Sequence, residues 1–382
     1  MVSVHASRTN PPAAWRSTAV TVLTSALAVV IALTAGAIFI LVSGDDPIEA
    51  YRALWDGAFG SKRAIGETLA AGTPYMFGGL AFAVAYRAGM FNIGIEGQMI
   101  MGGLAAGLFA GADLGLPTLV YVPTSMALAL IAGGIWGSIA GLLKAVSGAH
   151  EVITTIMLNY LSYRLLSYVL LDTAGYLPVN PQLQATDLAP SDARLPIILE
   201  GTRLHAGFLM GLAAALVIWI LLFRTNFGYH IRTVGFSKGA AAYAGISWGA
   251  TVIAAMFVSG GLAGLGGASE TIGLLGQQYN SQQGYGFTSI AVGLVGRNHP
   301  FGVVAAALIF GALRSGSNAM QNQVGTSKEI VLVLQGLVIL AIAALAASNR
   351  IKAWYSRRKR APLSGAGYST TIGVEPGVPT ER

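Results

Sequence analysis

Seven stretches of this 382-residue chain carry no Asp, Glu, Lys or Arg: 17–44, 68–86, 114–143, 204–223, 239–269, 271–296 and 330–349. Each has the roughly 18 or more residues that a membrane-spanning helix requires. About a quarter of the residues of a soluble domain are ordinarily charged; here the share is 10%, with 54% hydrophobic residues and a mean hydropathy of +0.63. No water-facing domain leaves so little polar surface, so an ordinary soluble enzyme is excluded. The pattern predicts an all-α polytopic membrane protein.

Runs broken by single charges add spans at about 91–111, 152–171 and 300–320, for about ten transmembrane helices. The eighth, about 284–296, is too short to cross alone and reads as a half-helix buried in protein, a placement that lipid exposure would forbid. The first run, 28 uncharged residues long, exceeds the roughly 7–15 of a signal-peptide core and is expected to stay as an anchor. The organisation expected is a cytoplasmic N-terminal segment (1–16), a transmembrane domain (17–349) and a basic, disordered cytoplasmic tail (350–382).

The net charge of +7 lies in the flanks. Residues 17–349 balance, while Arg8, Arg16 and the tail, with Arg357-Arg358-Lys359-Arg360, hold the surplus. Such a cluster after a final apolar span anchors topology, and no groove-reading or aromatic-interleaved basic patch suggests nucleic acid. Positive-inside counting places both termini, Arg87, Lys144, the 224–244 loop and Arg297 in the cytoplasm. The acid-rich loops 43–67 and 172–205 then lie outside. Both termini inside requires an even number of spans, which ten satisfies.

Catalytic parts are missing. The chain has no cysteine, which excludes disulfides and thiolate chemistry. Neither H-E-x-x-H nor G-x-S-x-G occurs, and none of the six lysines sits in a phosphate-binding G-x-x-x-x-G-K-[ST] loop. No metal or cofactor is expected on this chain. Fifty glycines, as in the run 260–267, indicate helices whose backbones approach closely.

Ionisable groups in or near spans are Glu96, Glu151, Glu270 and Arg314. A charge at the centre of a helix costs about 2.5–3.5 kcal/mol on insertion scales, so each needs a reason. Two Gly-rich, broken-looking segments, 88–103 and 284–302, occupy corresponding places in the two halves, a pattern that points to a substrate path near the midplane. The first overlaps the stretch Tyr86 to Gln98, Y-R-A-G-M-F-N-I-G-I-E-G-Q. Its Asn92, Glu96 and Gln98 either bind a neutral polar solute or only satisfy one another. For Glu96, bracing the broken backbone around Gly94 and Gly97 is the favoured reading, and a proton relay is the alternative.

That stretch closely resembles the F-R-A-G-x-F-N-I-G-x-E-G-Q signature of permease subunits in the ribose/branched-chain amino-acid class of ABC importers. The likeness is greatest to the branch that imports nucleosides alongside a basic-membrane-protein-type binding lipoprotein. Three further stretches fit in order: Glu151 to Tyr160 (E-V-I-T-T-I-M-L-N-Y), 228–246, and Gly284 to Val292 with Gly296-Arg297. The resemblance spans about residues 45–350. Segment 228–246 is similar to the family's coupling loop, G-x-x-x-R-x-x-G-x-N-x-x-A-A-x-x-x-G-I, here with Arg232, Gly235, Ala240, Ala241, Tyr243 and Gly245. Ser237 replaces the usual Asn, and both residues are good helix N-caps. A helix starting there would present Lys238 and Tyr243 to an ATPase, with Ala240, Ala241 and Ala244 allowing close approach.

The resemblance implies a translocation subunit with no chemistry of its own. ATP and Mg would be used by a separate ATPase, an external lipoprotein would deliver solute, and a second permease subunit, as a heteromeric pair, would complete the path. An ion-coupled secondary carrier is the competing class; its scarcity of carboxylates and the acid-free 224–244 loop count against it. Asn92, Gln98, Asn159, Tyr160, Gln277, Tyr279 and Phe287, with Glu96, are the residues expected along the path. Amides and aromatics of this kind suit nucleosides, and the amides suit simple sugars such as ribose equally; the resemblance favours nucleosides.

Overall fold

Helix α1 (Pro47–Phe59) starts on Asp46, whose carboxylate accepts the Ile48 N–H at 2.7 Å, with proline in the first turn. These are the residues a helix start prefers. The computed structural model describes residues 30–31, 34–172, 175–281, 284–327, 329–333 and 336–337. The expected first span, the last span and the segments 1–16 and 350–382 lie wholly or largely outside them. The fold below is that of the unit Ala32–Ile339.

Ser61 caps α2 (Lys62–Arg87), which is the centre of the bundle. Tyr75, Met76, Phe77, Leu80, Phe82 and Val84 are buried on all sides of it. A helix that is apolar all round has no solvent face to give, and other helices enclose this one. An irregular stretch from Gly89 to Gly94 leads into α3 (Ile95–Gly111), then α4 (Thr118–Ser147) and α5 (Glu151–Leu170). Next come α6 (Gly207–Arg224), α7 (Asn226–Phe236), α8 (Lys238–Tyr243) and α9 (Trp248–Glu270). Helix α9 runs into a π turn (Thr271–Leu275); α10 (Tyr285–Val295) and α11 (Pro300–Val324) follow.

Among the described residues, five helices are long and apolar enough to cross a membrane: α2, α4, α6, α9 with its π turn, and α11. Helices α3 and α5 occupy the positions expected at 91–111 and 152–171, and α10 is the 11-residue half-length helix expected at 284–296. The apolar run 271–296 is therefore not one helix. It divides into the π turn, an irregular return with Gly276 and Gly284 at positive φ, and α10.

Glycines set the closest packing. Helices α4 and α9 meet backbone to backbone: a Cβ on Gly264 would overlap the Ala129 carbonyl oxygen, and one on Gly260 would overlap that of Gly133. Where lipid supplies no hydrophobic drive, such van der Waals approach is what holds helices together.

The acid-rich segments are more structured than plain loops. Helix α1 lies within 43–67 and packs on α11, with Ala50, Ala53 and Met320 in one buried cluster. Segment 172–205 contains a two-residue antiparallel hairpin, β1 (Val179–Asn180) with β2 (Ala185–Thr186). Single bridges join Ala185 to Tyr279 and Ile197 to His205, so this segment caps the end of the bundle where the π turn lies. His205 is buried there, against Gly273, and accepts the Gly207 N–H at 3.2 Å; burial pushes its pKa down to about 4.

Candidate functional site

The break before α3 leaves backbone donors that the helix cannot satisfy itself. Side chains from the break itself and from α5 fill them. Asn92 Oδ1 accepts the Gly94 N–H at 2.9 Å and Gln98 Nε2 at 3.2 Å, while Asn92 Nδ2 donates to Gln98 Oε1 (2.9 Å) and Ser259 Oγ (3.0 Å). Ser259 donates onward to the Ala81 carbonyl. From α5, Asn159 Oδ1 accepts the Gly97 N–H at 2.8 Å, its Nδ2 donates to the Ile93 carbonyl at 2.9 Å, and Thr155 Oγ1 accepts the Ile93 N–H. All these groups are buried, and together they tie α2, α3, α5 and α9.

Glu96, in the first turn of α3, reaches the other broken segment. Its Oε1 accepts the Gly284 N–H at 3.0 Å and its Oε2 the Gly286 N–H at 2.6 Å. A carboxylate at the first turn of α10 satisfies orphan donors and suits the positive end of the helix dipole. Gly286 is required here, because a Cβ would overlap the Glu96 backbone.

A cavity of about 30 Å³ lies against this contact, lined by Glu96, Glu270, Gln278, Tyr279 and Tyr285 among others. A polar cleft of about 480 Å³ lies beyond it, between α1, α2 and α11, lined by Asp56, Glu67, Arg203, Arg314, Asn318 and Tyr285 among others. Arg203 Nε donates to both Glu67 oxygens at 2.8 and 2.9 Å, and this pairing raises the Arg203 pKa. The Arg314 guanidinium carbon lies 4.3 Å from the Tyr285 ring centre. Tyr75 meets that ring edge-on at 5.1 Å.

At the opposite end, α7 and α8 form a short elbow. Thr225 caps α7, and Ser237 closes α7 while its hydroxyl accepts the Ala240 N–H at 3.3 Å to open α8. Gly245, at φ +71°, ends α8. Phe236 and Tyr243 project from the elbow, 90% and 97% exposed. Lys238 lies 4.3 Å from the Trp248 ring centre, and Arg232 5.4 Å from that of Phe223.

Residues 64–343 match the model of the family described as the permease component of the branched-chain amino-acid transport system. The chain belongs to this family. The permease is 37% identical to the guanosine ABC transporter permease protein NupP of Bacillus subtilis over 328 residues, 83% of this chain and 91% of that protein. It is 36% identical to the nucleoside ABC transporter permease protein NupB of Lactococcus lactis, over 84% of this chain and 90% of the relative. It is 30% identical to the glucose ABC transporter permease protein TsgB13 of Haloferax volcanii, over 83% and 86%. No solved structure gives a significant match. Family and helices together make this permease a multi-pass protein of the cell membrane.

The residues expected along the path separate into groups. Asn92, Gln98 and Asn159 saturate one another and their neighbours' backbone, and line none of the cavities described. Glu96 braces backbone, as the favoured reading has it, but that of Gly284 and Gly286 rather than of Gly94 and Gly97. Glu96 and Tyr279 line the small cavity, while Gln277 is buried in the turn beside it. Tyr160 and Phe287 are exposed on the bundle surface. In the elbow, Ala240 and Ala244 are exposed, but Ala241 is fully buried within the permease's own core, in a cluster with Met90, Val234, Ile246 and Met256. Its side chain packs inward and cannot be part of a surface offered to a partner. A Cβ on Gly235 would overlap the Arg87 carbonyl oxygen, so this glycine too serves internal packing.

Tyr285, Gln278 and Tyr75 were not singled out from sequence. Tyr285 and Gln278 are one or two positions from residues that were, and in an irregular return no periodicity tells which neighbour faces inward. Glu270 and Arg314 were marked by their charge within apolar runs, and the structure brings both to Tyr285.

Proposed function

We propose that this permease is the translocation subunit of an ATP-driven importer of nucleosides, working with a separate ATPase, an external binding lipoprotein and a second, non-identical permease subunit. The observation that carries the reading is the 37% identity over 83% of the chain to a guanosine transporter permease. The elbow supports it, because two short helices capped on one serine hold exposed aromatic tips at the end where Arg87, Arg232 and Asn298 gather. Positive-inside counting makes that end cytoplasmic, where an ATPase would dock. The cleft fits the outward side of such a path, since Asp56, Glu67 and Arg203 of its lining lie in the acid-rich segments that positive-inside counting places outside. ATP and Mg belong to the ATPase in this reading.

A second reading, import of simple sugars, has the 30% identity to a glucose permease in its favour. Proteoliposomes containing the full complex separate the two. ATP-driven uptake of guanosine, unaffected by excess ribose or glucose, is the expected result. Sugar uptake without nucleoside uptake selects the second reading. Uptake by the lone chain under a proton gradient, with no ATPase present, overturns both.

A further inference from the structure

The small cavity and the large cleft share Tyr285. On the cleft side its ring carries Arg314; on the cavity side lie Glu96, Glu270, Gln278 and Tyr279. The ring is buried and braced edge-on by Tyr75. Its backbone is held from both sides, because the Glu96 carboxylate grips the N–H groups of Gly284 and Gly286, the two residues that flank it. The main chain at this point is therefore fixed, and the side chain is what divides the two spaces.

Depth agrees with this placement. The cleft wall runs along α2 from Ser61 to Ala71, which at 1.5 Å per residue is about 15 Å. Along α11 it runs from Gln323 to Arg314, a similar distance. The part of that wall inside the expected spans, 68–71 on α2 and 320–314 on α11, is about 5–9 Å, so the floor lies in the outer half of a hydrocarbon core roughly 30 Å thick.

We propose that the cleft and the cavity behind Tyr285 are one solute chamber, with the Tyr285 ring as its movable partition. Rotating the ring would join the guanidinium and amides of the cleft to the carboxylates, amide and phenol behind it. That set of donors and acceptors, with aromatic faces beside it, fits a neutral heteroaromatic base carrying a hydroxylated sugar. The assignment of solute rests on the nucleoside reading above; the partition itself does not.

The absence of cysteine makes the test direct. Ser315→Cys places a thiol in the cleft and Met99→Cys one behind the partition. Each variant is assembled with its ATPase, sister permease and lipoprotein in proteoliposomes, and a charged, membrane-impermeant methanethiosulfonate is added from outside. Ser315→Cys should react, and guanosine-loaded lipoprotein with ATP should slow it at least threefold. Met99→Cys should react slowly, and at least tenfold faster when combined with Tyr285→Ala. Tyr285→Phe keeps the ring and should leave the rate low. Equal Met99→Cys rates with and without Tyr285→Ala, in complexes that still assemble, overturn the partition. An unreactive Ser315→Cys overturns the chamber. If wild-type complexes take up no nucleoside while the Tyr285→Ala acceleration persists, the nucleoside reading fails and the partition stands.

Discussion

The Glu96 carboxylate accepts the backbone N–H groups of Gly284 and Gly286, so the first turn of α3 holds down the first turn of α10. Two breaks about 190 residues apart in the chain thereby secure each other. Hydrogen bonds to a charged group contribute about 1.5–3 kcal/mol each. Glu96→Gln keeps one acceptor oxygen and loses the other, and should lower the midpoint of thermal unfolding in detergent; Glu96→Ala should lower it further. Uptake by surviving Glu96→Gln complexes should show no ion dependence to lose. A variant with unchanged melting and altered proton dependence would make Glu96 a relay.

Asn159 serves two backbone groups at once, the Gly97 N–H and the Ile93 carbonyl. Leaving a buried polar group unpaired costs about 1–3 kcal/mol. Asn159→Ala should therefore reduce stability by about 2–5 kcal/mol and lower the yield of folded protein. The KM for solute in the fraction that folds should not change. A raised KM with unchanged thermal stability would return Asn159 to the path.

The elbow has one face packed in the permease core and one exposed, with Ala241 on the first and Phe236 and Tyr243 on the second. Ala241→Trp forces an indole into a filled core, and overpacking typically costs about 1–3 kcal/mol. It should destabilise the permease measured on its own. Phe236→Ala and Tyr243→Ala remove only exposed rings, so melting should stay unchanged while co-purification of the ATPase and ATP-driven uptake fall. Lys238→Ala should be mild, since exposed ion pairs contribute about 0–1 kcal/mol.

His205 gives the cap over the π turn a pH dependence. Its pKa is about 4 when folded against an ordinary 6.5. Between these values the unfolded chain binds a proton that the folded one refuses, so stability is full above pH 6.5 and falls as the pH drops toward 4. The loss is on the order of 2–3 kcal/mol. The protection factors of residues 195–207 and 271–276, that is exchange corrected for the pH dependence of the intrinsic rate, should fall across that window, and His205→Gln should abolish the dependence. Protection that is flat between pH 7 and 4.5 would contradict the assignment.

Much of the architecture was legible because charge-free runs and single intrusive charges are one-dimensional signals. The half-length α10, the helix start at Ser237 and the bracing role of Glu96 could all be read from local chemistry. Which backbone Glu96 braces could not, because Gly284 and Gly286 meet it across the six intervening helices α4 to α9. The same holds for Ala241: alanine is small enough for either a partner's groove or its own core, and only the position of Val234 and Ile246 decides. For Asn92 and Gln98 composition left solute binding and mutual satisfaction open, because amides that satisfy buried polar groups and amides that bind solutes look alike in sequence.

Ser237 ends one helix and begins the next, so the elbow has no slack residue between α7 and α8. A push on α8 is delivered to α7 within a single dihedral pair. Through Gly235 it then meets the Arg87 backbone, at the point where α2 gives way to the irregular stretch that leads to Glu96. In the importer reading proposed above, lengthening the hinge at Ser237 by two glycines should leave the ATPase bound and end its drive of uptake.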